Sequence, residues 1–369
     1  FGLGLKGTEG QTFAVQDKSS TSRDAKTTRP RHRGTNLCSM SIGRSLLVSV
    51  SWLVCTATVA PRWAEPTVPR LYRWAAAPGE SLAVARIDPS RPTDTPVALL
   101  LPGPVGSAYS WRHVQQGLVD RGHRVLIVDP LGMGASSRPR TADYALSAQA
   151  TRLKAFLDHE LPPTTRVVVA GLGTSATIAM HLAAIDTGRI VGVASLAGGP
   201  VDQQGTRTVR IALALAPLLQ TRLGLALGRR KFSAAVRDQS ADPAWFTSEV
   251  ADSYLAPLER DVRGQLTVLK DMHDAKEPHP IASRLPQVVA PMRLLLGDKP
   301  TPNAPSREQV QLLMQHVRRI TIDTVRRAGT LMHEERPADV VRVLDDMLRG
   351  ARRARLQVDP TQLRLDLDD

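Results

Sequence analysis

Cysteine is almost absent from this 369-residue chain: Cys38 and Cys55 are the only two. A disulfide-stapled scaffold and a cysteine-based zinc site are therefore excluded. Aromatic residues make up 4% of the chain. None is interleaved with the arginine clusters, so the pattern expected of a nucleic-acid binder is missing. No apolar run has the length of a comfortable membrane span, about 20 residues. Negative charge is in deficit, with 35 Asp and Glu against 48 Lys and Arg and a formal charge of +13. That balance favours contact with polyanions or anionic surfaces but sets no fold. What remains is ordinary globular usage, 42% hydrophobic and 22% charged, which excludes wholesale disorder and a collagen-like fibre.

The positive charge comes in short clusters, among them Arg29-Pro-Arg-His-Arg33, Arg229-Arg230-Lys231, Arg318-Arg319, Arg326-Arg327 and Arg352-Arg353. Such runs read first as solvated surface. Residues 1–39 form a basic leader without periodicity. Met40, Arg44 and the apolar stretch Ser45 to Ala60 then carry the marks of a secretory signal peptide over 40–64, with cleavage expected after Ala57. The chain is expected to start at Met40 and to be exported, to the periplasm or outside the cell.

From residue 70 the pattern changes. Short, mostly apolar runs, Val97–Leu101, Arg124–Val128, Arg166–Ala170, Ile190–Leu196 and Met292–Leu296, alternate with amphipathic stretches at Trp111–Arg121, Ser147–His159, Ala176–Ile185, Arg307–Val317 and Pro337–Arg349. Ser81–Ile87 and Arg319–Thr324 add two further strands. Strands apolar on both faces, alternating with helices, predict an α/β fold with a mostly parallel sheet covered on both sides. Residues 200–289 break the rhythm with helical stretches such as Val209–Leu227 and Val262–Lys270. The expected organisation is a core in two parts, 70–199 and 290–350, a helical cap over 200–289, and a frayed charged tail over 351–369.

Four segments carry a resemblance. They are Pro102-Gly-Pro-Val-Gly-Ser-Ala-Tyr-Ser-Trp-Arg112, Asp129-Pro-Leu-Gly-Met-Gly-Ala-Ser-Ser-Arg-Pro139, the strand–turn–helix unit Val167–Ala184, and Glu334-Glu-Arg-Pro337. In this order and spacing the chain resembles the α/β-hydrolase superfamily, in its branch of haloalkane dehalogenases and epoxide hydrolases, over roughly 80–350. The resemblance implies a nucleophile on the sharp turn after a strand, a histidine to take a proton, and an acid to orient that histidine. At the matching positions this chain has Gly173, Thr330 and Pro300. Glycine has no side chain to attack with, and threonine is no base near neutral pH. Pro104 lacks an N–H where the family places a contact to the substrate, and Thr174 replaces a dehalogenase tryptophan.

Three functions stay open. The first is a non-catalytic binder of a small apolar or ester-like ligand in the core–cap cleft, lined by Gly103, Pro104, Tyr109, Trp111 and Thr174. The second is a working hydrolase that uses displaced groups: Ser175, His333, and Asp298 or Asp202 as the acid. Geometry speaks against it, because two steps into a helix turn a side chain by about 200°. The third is an Arg-rich module for anionic envelope surfaces. No metal, cofactor or nucleic acid is implied, and oligomeric state is open.

Overall fold

The computed structural model describes residues 69–104, 106–203 and 221–358, all within the compact unit Pro61–Asp369. The leader, the signal-like segment, both cysteines, cap residues 204–220 and residues 359–369 lie outside the described residues.

Eight strands form one sheet in the order β1-β2-β4-β3-β5-β6-β7-β8. β1 (Leu71–Ala77) pairs antiparallel with β2 (Glu80–Ile87), and β2 pairs antiparallel with β4 (Val125–Asp129). β3 (Val97–Leu101), β4, β5 (Val167–Leu172), β6 (Ile190–Leu196), β7 (Met292–Gly297) and β8 (Ile320–Val325) run parallel. Every residue of β3, β4 and β5 is buried, because helices cover both faces. On one face lie α2 (Leu146–Glu160), α3 (Ser175–Ile185) and, later in the chain, α7 (Arg307–His316), with the core that Leu99, Val128, Val169 and Leu294 present to that side. On the other, α1 (Arg112–Val119) and α9 (Pro337–Val358) pack on Leu100, Ile127, Ala170 and Leu295. Alternate strand residues feed opposite layers, as the two-residue period of a pleated strand requires.

The cap contributes α4 (Arg222–Asp238), α5 (Ser248–Arg260) and α6 (Val262–Asp274). Each starts at a side chain that accepts a backbone N–H of the first turn: Thr221 from Gly224, Thr247 from Val250, and Asp261 from Gly264. The short α8 (Met332–Glu335) precedes α9. Among the described residues no helix is long and apolar enough to cross a membrane.

Two elements depart from the sequence reading. β1 is an edge strand in which only Trp74 and Ala76 are half-buried and the rest are exposed, so it lacks the apolar signal of the inner strands. α9 continues through Gly350 to Val358, where a frayed tail was expected. An isolated helix glycine costs only about 1 kcal/mol, and the alanines and arginines beyond it are strong helix formers.

Candidate functional site

The turn between β5 and α3 is built as a nucleophile's seat, and the seat is bare. Gly173 stands at φ +57°, in the left-handed region that costs an L-residue about 1–2 kcal/mol. Its N–H donates to Leu196 O at 2.9 Å, and Ala176 N–H returns to Gly173 O at 3.1 Å. The neighbours are small by necessity. A Cβ on Gly171 would lie 2.4 Å from Ser175 O, and one on Gly198 would lie 2.2 Å from Gly173 O. A Cβ on Gly173 itself would meet nothing within 4 Å. The fold thus keeps room for a side chain that the chain does not supply.

Gly173 opens into a cavity of about 870 Å³ at the carboxyl ends of the parallel strands. The loops after β3, β5, β6, β7 and β8 form its floor, contributing Gly103, Pro104, Thr174, Asp202, Asn303 and Thr330 among others. Phe232 and Gln239 of α4 and Tyr254 of α5 form the cap side. In a chain of charge +13, the described lining includes no Lys, Arg or His. Its one carboxylate, Asp202, is exposed and accepts Ile281 N–H at 2.6 Å.

The two other positions singled out by the resemblance hold no acid or base. Thr330 lines the cavity, is 5% exposed, and shares a hydrogen bond with the Thr301 hydroxyl. Its N–H donates to Gln239 O at 2.9 Å. Pro300 is exposed and does not line the cavity. Thr174 is 8% exposed, and its hydroxyl faces no partner among the described residues. That oxygen is itself buried, so the residue lines the cavity without presenting its hydroxyl to it.

The displaced set is not assembled. Ser175 is fully buried, and its hydroxyl donates to Pro102 O at 2.5 Å, which ties the start of α3 to the β3 loop. It does not line the cavity, because the second residue of the turn of helix points back at the sheet. His333 is also fully buried, with neither ring nitrogen hydrogen-bonded among the described residues. Its ring lies 5.3 Å from that of Trp111. Burial first, then the Arg112 and His113 charges, pushes its pKa down to about 3. Asp298 is exposed and accepts Ala328 N–H at 3.2 Å. Backbone N–H donors, Arg327 foremost, hold its carboxyl below the usual range.

Two expected lining residues are elsewhere. Trp111 is fully buried beneath the site and is not on the cavity wall. The reason is that the Ala108–Trp111 turn and α1 fold it into the core with Val114 and Leu118. Tyr109 sits one layer back, edge-on to Tyr254 at 6.0 Å with the Arg112 guanidinium 4.3 Å over its ring. Phe232 and Tyr254, which do line the cavity, belong to an aromatic group with Trp245 and Phe246. The Thr247 cap announces α5 in the sequence, but only tertiary packing aims Tyr254 inward.

Cap and core are joined by a buried carboxylate. Glu334 Oε1 accepts from Arg112 Nη1 at 2.6 Å and from the Tyr254 hydroxyl at 2.7 Å. Burial raises the Glu334 pKa, and the two donors pull it back. Arg112→Met leaves that carboxylate without its counter-charge, a loss of about 3–5 kcal/mol. Urea unfolding of the variant measures this, and a loss below about 1 kcal/mol contradicts the network's role.

An alpha/beta hydrolase family model matches residues 98–343. The human mesoderm-specific transcript homolog protein is 40% identical over 63 residues, 17% of this chain and 19% of that protein. Epoxide hydrolase A of Mycobacterium tuberculosis is 33% identical over 102 residues, 27% of this chain and 31% of that protein. The chain thus aligns with a fifth to a third of the length of these curated relatives. Among solved structures, the haloalkane dehalogenase DbeA-M1 loop variant from Bradyrhizobium elkanii is 19% identical. It superposes with a TM-score of 0.57, over 79% of this chain and 99% of that one. The eight-stranded sheet, the glycine-flanked turn after β5 and the match over most of the core lead to one conclusion: the chain belongs to the alpha/beta hydrolase family.

Proposed function

We propose that this protein binds a small, neutral, largely apolar molecule in the core–cap cavity and does not turn it over. The observation that carries this reading is Gly173: the turn that should present a reactive atom presents only hydrogen, in open space. No imidazole lines the cavity among the described residues to activate water in its place. The volume, about 870 Å³, lies in the range of small-molecule sites. The wall excludes charge by chemistry. An anion would meet Asp202 and no cation, and burying it unpaired would cost several kcal/mol. A neutral molecule suits what is there: Phe232, Val236 and Leu331 for its apolar body, with uncharged polar residues such as Asn303 around it.

The test combines turnover with binding. p-Nitrophenyl butyrate, styrene oxide and 1-chlorobutane are expected to remain intact in the presence of the protein. Neutral esters, lactones and ketones, screened by thermal shift, are expected to yield a saturable stabiliser. At one hundred times its Kd it adds about 2.7 kcal/mol. Ala235→Trp, which fills the cavity from α4, abolishes that stabilisation. Steady turnover by the wild-type chain, lost on changing a cavity residue, overturns the reading.

A further inference from the structure

A second cavity, of about 400 Å³, lies at the opposite edge of the sheet, where the chain enters β3, β4 and β5. Its chemistry is the reverse of the first. Three arginines line it, Arg124, Arg166 and Arg352, against one acidic residue, Asp94. Arg166 comes from the loop before β5, Arg124 from the loop before β4, and Arg352 from the far end of α9. The elements that bring them together are thus remote in sequence.

The side chains of Arg166 and Arg352 enter no ion pair or hydrogen bond among the described residues. Arg124 has only Asp88, with Nε 3.6 Å from Oδ1 and both side chains about half exposed, a pairing worth little. Like charges gathered in one concavity repel each other, and their field draws an anion in. Hydroxyls complete the wall: Thr93, Thr95, Thr164 and Thr165. Two of them are held in place from behind. Thr93 Oγ1 lies 2.8 Å from Thr95 Oγ1 and 3.0 Å from Gly122 O. Thr95 Oγ1 lies 2.8 Å from His123 Nδ1, and His123 Nε2 lies 2.5 Å from Asp345 Oδ1. The His123 side chain is fully buried, so this part of the wall is rigid.

We propose that this second cavity binds a phosphate monoester group. Three arginines against the lining Asp94 and the weakly paired Asp88 leave the site net positive, which suits the charge of about −1.5 to −2 that a phosphate monoester carries at neutral pH. Guanidinium forks suit its oxygens in bidentate pairs, and the Thr164 and Thr165 hydroxyls are left to donate to the others, those of Thr93 and Thr95 being engaged behind the wall. The volume holds the phosphoryl group and a few attached carbons, whether these belong to a soluble molecule or to a lipid headgroup. The site is independent of the first cavity, with which it shares no lining residue.

Calorimetric titration of the full chain with glycerol 3-phosphate is expected to show saturable binding that weakens with added salt. Cosedimentation with phosphatidic acid vesicles, compared with phosphatidylcholine vesicles, reads the lipid source. Binding of either probe supports the proposal when Arg166→Gln/Arg352→Gln weakens it by about tenfold or more. Both side chains are exposed, so that variant keeps the wild-type melting temperature. Binding that ignores the double substitution, or no binding of either probe, overturns the proposal. An equal loss in Ala235→Trp also overturns it, because the probe is then in the first cavity.

Discussion

Installing both halves of a nucleophilic pair, Gly173→Ser with Thr330→His, is expected to raise hydrolysis of p-nitrophenyl butyrate by about a hundredfold or more over the wild-type chain. Neither substitution does so alone. The expectation follows from what the fold retains. A Cβ at position 173 meets nothing within 4 Å, and the φ of +57° already aims it out of the turn. Gly173→Ser costs stability, about 1–2 kcal/mol for the left-handed backbone, but needs no repacking. Position 330 lies on the same cavity wall, its backbone fixed by Gln239 O. A serine without a base stays protonated and weak, and a histidine without a nucleophile has nothing to activate. Together they form an acyl adduct, which mass spectrometry detects at position 173. The gain stops short of a complete site. Pro104 supplies no N–H for the developing oxyanion, and one such donor is worth about 10²–10³ in rate. Pro300 leaves the new imidazole without an acid to orient it. Single variants as active as the double would show that the pair is not what the turn lacks.

The parts of this molecule that the sequence made legible are those whose signal is local. β3, β4 and β5 are buried at every position and read as unbroken apolar runs. β1 pairs only on one side and keeps residues such as Leu71 and Tyr72 at 44% and 37% exposure, so its residues do not separate it from a loop. The bare turn was legible because the apolar run of β5 leads without a gap through Gly171-Leu-Gly-Thr-Ser175 into α3, which fixes the register at Gly173. The direction of Ser175 followed from the helical rotation alone. The cavity wall did not follow. Phe232 and Tyr254 reach it through the packing of α4 and α5 over the core, a tertiary fact with no periodic trace. His333 misleads locally, because His-Glu-Glu reads as a polar surface turn. Glu334 is spoken for by Arg112, 222 residues away, and this draws the whole short helix α8 into the interior. The arginine cavity is the extreme case, since its three cations are separated by 42 and 186 positions (Arg124 to Arg166, Arg166 to Arg352).

Two buried groups set opposing dependences of stability on pH, and single substitutions are expected to separate them. Asp129, at the end of β4, is fully buried. Its Oδ2 accepts Ala135 N–H at 2.8 Å, while Oδ1 has no partner among the described residues. Burial pushes its pKa from 3.8 up to about 7, against the pull of backbone donors and Arg138. Between those values the unfolded chain has given up a proton that the folded chain still holds. Stability therefore falls as pH rises through this window, by roughly 1.4 kcal/mol per pH unit. His333 has the opposite sign. Its pKa drops from 6.5 to about 3, so between those values the unfolded chain takes a proton that the folded chain refuses, and stability falls as pH falls. From pH 4 to 6.5 the two slopes cancel in the wild-type protein. Asp129→Asn removes the Asp129 slope, and over this range the variant loses about 3 kcal/mol relative to wild type on acidification. His333→Phe, which keeps a ring against Trp111, leaves the Asp129 slope alone and gains about as much on acidification. Urea unfolding of the three proteins at pH 4 and 6.5 measures both effects. Parallel profiles would show that neither group keeps its charge-free state in the folded core. The same experiment bears on the site itself. A folded-state His333 that resists protonation is one held in the core against Trp111 and off the cavity wall, away from Gly173's empty place.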